Sequence, residues 1–391
     1  MNIRYAKEQD LNQIKDIWKY CFNDTEDFMG YYFNNKYKEE NTIVLEENSI
    51  VSSLQMNKYT LNINGANYKV SYVVGVSTLP QVRGKGYMKY IMEYMFNELY
   101  NNNELISILM PIDYRLYRKY GYEHCYDQLE YSLDIESLKV SKVNGKMESI
   151  NLENEKYLAK IYKNHMILNE LNRYVERNEE YYKTLIKEVE SEGGYIYLNK
   201  NEEYDGYIIY FISEGNIFVR EIMYNNISSL KNMLRFIYNH NTQCKKVTIS
   251  SPINDYIRMI VDNPKDIEVK IKPFMMGRII NLEKYIKTLK IDNIEDEKIE
   301  INIKIIDNQI KHNNKVFKVT LFKDSIDMFE VEEKEDIEMT INDISQITFS
   351  YLDINDVLRI KDIKINSNKD KVMRMFEILF SKQNNYINEY V

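Results

Sequence analysis

The stretch Pro80-Gln81-Val82-Arg83-Gly84-Lys85-Gly86 carries the residue types that hold an anion through the backbone. Glycines at alternate positions admit positive φ and let a ligand come close to the main chain. A helix beginning at such a loop adds about half a positive charge at its N-terminus. Arg83 and Lys85 supply cationic side chains suited to a pyrophosphate. The pattern is not a P-loop, because no Gly-Lys-Ser/Thr follows, and it is not a dinucleotide fingerprint, because GxGxxG is incomplete.

The neighbouring segments are those such a loop needs. Strands are expected at 42–46, 50–57, 59–63 and 67–78, with Asn64-Gly65 as a two-residue hairpin turn between the last two. After the loop, Met88, Ile91, Met92, Met95, Phe96 and Leu99 form one helical stripe. A buried strand over 105–110 follows, then a short helix around Tyr114–Tyr120 that stops at Gly121, then a strand from Tyr122 to Leu133. Upstream, Asp10 is suited to cap a helix whose apolar face is Leu11, Ile14, Trp18 and Cys21. A second short helix carries Phe28, Tyr31 and Tyr32. Asp24, Glu26 and Asp27 lead into it, and they read either as the lining of a cationic-substrate pocket or as a solvated helix start.

The middle third repeats this order. Helices at 153–165 and 178–191 precede strands at Tyr195–Leu198, Gly206–Ile212 and Ile217–Met223, a helix with Leu230, Met233, Leu234 and Ile237, and a strand at Lys246–Ser250. Where the first copy has its glycine loop, the second has Tyr224-Asn225-Asn226-Ile227-Ser228-Ser229, so only the first copy is expected to cradle a phosphate. The last third offers strands at 299–306, 315–321 and Asp336–Ile341, a segment Ile344–Phe349 that is helix or strand, and an amphipathic helix over Lys369–Ser381. No linker or low-complexity tract separates the thirds, so they are expected to pack together.

A chain of 391 residues suggests two or three domains, and a net charge of −8 argues against nonspecific nucleic-acid binding and favours cationic partners. Cys21, Cys125 and Cys244 form no CxxC pair, and His124, His165, His240 and His312 are scattered, so neither a disulfide framework nor a metal site is expected. No stretch approaches the ~18 apolar residues of a membrane helix, and no signal core opens the chain, so a cytoplasmic protein with no membrane partner is expected.

The glycine loop resembles the Gln/Arg-x-x-Gly-x-Gly/Ala pattern of the Gcn5-related N-acetyltransferase (GNAT) superfamily, and Tyr117-Arg118-Lys119-Tyr120-Gly121-Tyr122 is similar to its Tyr-x-x-Tyr/Phe-Gly-Phe/Tyr segment. With a degenerate second copy, the junction Phe274-Met275-Met276-Gly277-Arg278 and the last third, the whole chain resembles the Eis (enhanced intracellular survival) acetyltransferases. The resemblance implies an α/β (α+β) chain of two tandem GNAT-like mixed-sheet domains, 1–150 and 151–290, followed by a sterol-carrier-protein-like domain, 291–391. It implies acetyl-CoA as co-substrate and no metal, with contacts from Val76, Ser77, Thr78, Gln81, Arg83, Gly84, Lys85, Gly86, Tyr87, Met88 and Lys89. It also implies Tyr117 as general acid, the α-carboxylate of Val391 as general base, and a homo-oligomer such as a hexamer. Family members often end in an aromatic residue where this chain has Val391. The implied reaction is acetyl transfer to a primary amine of an aminoglycoside-like molecule, a polyamine, or a lysine of a basic peptide. A lipid- or ligand-binding module with vestigial acetyltransferase activity is the alternative.

Overall fold

The computed structural model describes residues 1–139, 144–151, 153–292, 294 and 298–390. Strand and helix positions follow the apolar periodicity closely. The strands Ile50–Ile63 and Ala66–Thr78 form a hairpin whose turn residues Asn64 and Gly65 both have positive φ (52° and 77°), as a two-residue turn matching strand twist requires. The expected break near residue 58 does not occur, and Ile50–Ile63 is one strand. Two of its polar residues find partners outside the strand: Asn57 Oδ1 accepts from the Tyr32 hydroxyl at 3.3 Å, and Lys58 donates to Ser71 Oγ at 2.7 Å. Asp10 precedes the helix Leu11–Cys21 but does not cap it through its side chain. Its carboxylate is taken by Arg4 at 2.6 Å and by the Lys7 amide at 2.8 Å. Ile341–Thr348 resolves as helix, capped by Thr340 and Asp343.

Among the described residues, one 13-stranded sheet runs through the first two thirds. From one edge the order is Asn2–Tyr5, Thr42–Glu46, Ile50–Ile63, Ala66–Thr78, Ile106–Leu109, Ile267–Ile279, Glu123–Asp134, Lys246–Ser251, Asn216–Tyr224, Tyr204–Ser213, Tyr195–Lys200 and Lys146–Ser149; Tyr174–Val175 pairs with Ile50–Ile63. The halves are fused by exchange. The last strand of the middle third, Ile267–Ile279, inserts between Ile106–Leu109 and Glu123–Asp134 of the first. The sequence reading did not recognise this strand. Pro273 interrupts it, and the structure tolerates the missing donor at a register shift between Pro273 and Met275.

The junction after Phe274 has a steric role. Arg278 is fully buried, with Nη2 bonded to both oxygens of Asp307 at 2.9 and 2.8 Å and Nη1 donating to the Tyr120 carbonyl. A Cβ on Gly121 (φ 82°) would meet Arg278 Nη1 at 2.1 Å, and one on Gly277 would meet the Phe349 ring at 2.2 Å. These contacts join all three thirds. The last third has a four-stranded sheet in the order Ser325–Glu330, Val316–Phe322, Lys298–Ile306, Ile337–Thr340. Ile299, Ile301, Ile303 and Ile305 are buried on one face, in one apolar cluster with Val372, Met375 and Phe376 of the helix Lys369–Leu379. Among the described residues no helix is long and apolar enough to cross a membrane.

His165 is buried at 1% exposure in the middle third, with Nδ1 2.7 Å from the Tyr224 carbonyl oxygen and 3.1 Å from the Tyr224 amide nitrogen. Burial pushes its imidazole down to about 4. The folded value lies below the ordinary value near 6.5, so an unfolded chain takes up a proton that the folded one refuses. Stability from this group is therefore full above pH ~6.5 and is lost as pH falls toward ~4, by roughly 3 kcal/mol in all. Urea unfolding at pH 7 and pH 5 is expected to show a larger loss for wild type than for His165→Gln. Equal losses would contradict the assignment.

Candidate active site

The strand Ala66–Thr78 runs parallel to Ile106–Leu109 only over Ser71–Val73 and Ser107–Leu109, and then the two part. A bulge drives the separation. Register with Ile50–Ile63 jumps from Gln55↔Val74 to Ser53↔Ser77, which sets Gly75 and Val76 opposite Leu54. Gly75 has φ 59°, and a Cβ there would lie 2.1 Å from Gln55 Oε1 and 2.4 Å from the Trp18 ring, so only glycine fits. Beyond it Val76, Ser77 and Thr78 form one wall of the opening, with the Ser77 carbonyl held by Ser52 Oγ at 2.6 Å.

The glycine loop closes the end of this opening. Pro80–Val82 makes a 3₁₀ turn, and Arg83 Nε donates to the Thr78 carbonyl at 3.0 Å. Gly84 and Gly86 both have φ 82°, and Gly86 precedes the helix Tyr87–Asn101. The amides of Gly84, Lys85, Gly86, Tyr87 and Met88 have no hydrogen-bond partner among the described residues. A Cβ on Gly84 would meet nothing within 4 Å. This array of free donors at a helix start, open to solvent, fits a pyrophosphate. Gln81, Arg83, Lys85 and Lys89 are exposed around it, while Tyr87 is buried, with its hydroxyl on Glu47, and Met88 is half-buried. Tyr87 and Met88 thus anchor the helix with their side chains and offer backbone amides to a ligand.

Tyr117, on the short helix Tyr114–Arg118, is buried in one cluster with Val82, Tyr87 and Ile91. Its ring meets Tyr122 edge-on at 6.5 Å between centroids. Desolvation pushes its hydroxyl up to about 12, with Tyr120 adding to the effect. The group keeps its proton at neutral pH and remains available as a donor.

A cavity of about 490 Å³ lies between the first and middle thirds. Asp24, Glu130, Glu188 and Glu192 line it, against one guanidinium, Arg220. Glu188 is matched by Arg220 and Lys36, each at 2.7 Å, and Glu130 by Lys272. Asp24 and Glu192 have no ion-pair partner among the described residues. Partial desolvation raises the Glu192 carboxyl above its ordinary range, with Glu188 and Asp24 adding to this and Arg220 opposing it. The Trp18 indole N–H donates to Asp24 at 2.8 Å while the same ring packs on Gly75, so one side chain ties this acidic cavity to the bulge. Of the three acidic residues read from the sequence, Asp24 lines the cavity. Glu26 and Asp27 do not, and Glu26 pairs with Lys19 on the surface. A larger open cleft of about 1580 Å³ lies on the other side of Glu188. Along it Lys58 pairs with Glu104 and Lys36 with Glu188, and lysines together with Arg177 outnumber the glutamates, so it does not favour a cationic ligand.

Val391 lies outside the described residues. The chain up to Tyr390 is docked, not frayed: residues Tyr386 to Glu389 are at most 2% exposed. The Glu389 carbonyl accepts from Tyr72 of the first third at 3.3 Å, and Tyr390 lines the acidic cavity, with its ring 4.8 Å from the Arg220 guanidinium. Glu130, Glu188, Glu192, Arg220 and Tyr390 were not found from the sequence. They come from two strands, one helix with its C-cap and the tail, and share no motif. Glu188, within the apolar stripe Leu185, Ile186 and Val189, was the one local signal.

Residues 2–125 match the acetyltransferase (GNAT) domain family, residues 174–279 match a second acetyltransferase (GNAT) domain family, and residues 282–388 match the sterol carrier protein domain family. The fold is similar to a probable N-acyltransferase from Enterococcus faecalis, with TM-score 0.88, 19% identity, and coverage of 100% of this chain and 99% of that one. It is also similar to a GCN5-related N-acetyltransferase from Anabaena variabilis, with TM-score 0.81, 17% identity and full coverage of both chains. Eis1 from Mycobacterium abscessus aligns with TM-score 0.76 and 12% identity, again over 100% of each chain. No curated protein matches the chain by sequence.

The unpaired carboxylates yield a test. In the double variant Asp24→Asn, Glu192→Gln, KM for a cationic acceptor amine is expected to rise roughly tenfold or more, equivalent to about 1.4 kcal/mol. Affinity for acetyl-CoA is expected to stay at the wild-type value. Steady-state kinetics with an unchanged KM would remove the cavity from the acceptor path.

Proposed function

We propose that this chain, in which residues 2–125 and 174–279 match acetyltransferase (GNAT) domain families and 282–388 a sterol carrier protein domain family, moves the acetyl group of acetyl-CoA to a primary amine of a cationic molecule held in the acidic cavity. The observation that carries this reading is the pair of unmatched carboxylates, Asp24 and Glu192, joined through Trp18 to the bulge at Gly75. An aminoglycoside-like molecule or polyamine suits a cavity of about 490 Å³, while a lysine side chain would enter it from a basic peptide.

When bound, acetyl-CoA supplies an activated thioester carbonyl. The amides from Gly84 to Met88 hold the pyrophosphate, with Gln81, Arg83, Lys85 and Lys89 around it. Val76, Ser77 and Thr78 line the pantetheine arm, and their N–H groups are the donors for an oxyanion. Asp24 and Glu192 hold the acceptor as an ammonium. Tyr117 keeps its proton at neutral pH and gives it to the departing sulfur. The α-carboxylate of Val391 receives the amine proton. At a pKa of about 3.5 against about 10 for an alkylammonium it is a weak base, so it works by orienting the amine or relaying through water.

Tyr117→Phe is expected to lower kcat by about 10²-fold, the scale of general acid catalysis, with acetyl-CoA affinity unchanged. A residue fused after Val391, which turns the carboxylate into an amide and removes no side chain, is expected to abolish transfer while binding persists. Wild-type turnover in Tyr117→Phe would return that residue to a packing role. Wild-type turnover in the fusion would move the base to an internal carboxylate.

A further inference from the structure

The middle domain repeats the order strand, helix, parallel strand of the first, with Asn216–Tyr224, Ile227–Tyr238 and Lys246–Ser251 answering to Ala66–Thr78, Tyr87–Asn101 and Ile106–Leu109. Its two strands pair in parallel over Asn216–Val219 and Lys246–Ile249 and then part. A bulge again marks the separation: the register with Tyr204–Ser213 jumps at Arg220, between Val219 and Glu221. The middle domain therefore has an opening of the same kind as the one beyond Val73 in the first. A buried opening leaves backbone polar groups that must find partners.

The partner here is the chain's own end. Asn388 Nδ2 donates to the Arg220 carbonyl at 3.1 Å and to Glu221 Oε2 at 2.7 Å, and Asn388 Oδ1 accepts from Gln128 Nε2 at 2.7 Å. Arg177 secures the seat. Its Nη1 donates to both oxygens of Glu221 at 2.9 Å, its Nε to Glu389 Oε1 at 2.9 Å, and its Nη2 to the Asn388 carbonyl at 3.2 Å. One guanidinium, 1% exposed, thus bridges a carboxylate of the opened strand and a carboxylate of the tail. At such burial a charge is retained only with its partners in place.

We propose that the middle domain's cofactor-like opening is the socket for the chain's own segment 386–390, and that Arg177 is the residue that positions it. The socket stands on geometry alone. Only its consequence for acetyl transfer rests on the function proposed above. The segment takes the place a second cofactor would need, and it carries Tyr390 to the wall of the acidic cavity.

Hydrogen exchange on the full chain tests this, with Asn388→Leu and Arg177→Met compared against wild type. Asn388→Leu strands no charge, and it keeps the test decisive if Arg177→Met fails to fold. Exchange at 386–390 is expected to rise roughly tenfold or more in either variant, while exchange in Ile50–Ile63 and acetyl-CoA affinity stay at wild type. Arg177→Lys is expected to restore part of the protection. Release of the tail with a fall in kcat supports both the socket and the tail's role in transfer. Release with unchanged kcat supports the socket and overturns that role. Wild-type protection at 386–390 in Asn388→Leu, or faster exchange spread evenly over the whole chain, overturns the socket.

Discussion

Two parallel strands that begin paired and then separate create a line of backbone groups without a sheet partner, and that constraint shapes this molecule twice. In the first domain the separation past Val73 is forced by the bulge at Gly75, against which Trp18 and Gln55 are packed. The wall it leaves, Val76 to Thr78, ends at a helix start with free amides. In the middle domain the separation past Val219 is filled by Asn388 and braced by Arg177. The same local geometry is thus left open to a ligand in one half and occupied by protein in the other.

Fusion of the halves makes this division useful. Because Ile267–Ile279 lies between Ile106–Leu109 and Glu123–Asp134, the two openings belong to one sheet and cannot drift apart. Gln128 and Phe274, from the two exchanged strands, both touch Tyr390. Arg278 fastens the exchanged strand to Asp307 in the third domain and to the Tyr120 carbonyl, next to the segment that carries Tyr117. The third domain packs its apolar face into a core shared with the first, and from there its tail reaches the centre of the molecule.

Legibility in the sequence followed the range of the interactions. The glycine loop, its strand and its helix are contiguous, so residue types and periodicity were enough to locate them. The Asn64-Gly65 turn was legible for the same reason. The acidic cavity was not, since Glu130 on a strand, Glu188 and Glu192 on one helix and its C-cap, and Asp24 ahead of another helix meet only through the fold. Asp24 was read together with Glu26 and Asp27, but proximity in sequence does not set direction, and Glu26 turns to Lys19. The strand Ile267–Ile279 escaped notice because Pro273 breaks its pattern and exposed Val269 and Ile271 precede its buried half. The seat of the tail depends on Arg177 meeting Glu221 and Glu389, residues 44 and 212 positions away, which no local pattern encodes.

The central claim is that the two halves share a fold and only one is open to the cofactor. Titration calorimetry of acetyl-CoA on the full chain measures this directly. The account predicts one site per chain, lost in Gly86→Glu, where a side chain and a negative charge enter the amide cradle. Two equivalent sites per chain, or one site that survives Gly86→Glu at wild-type affinity, would contradict it.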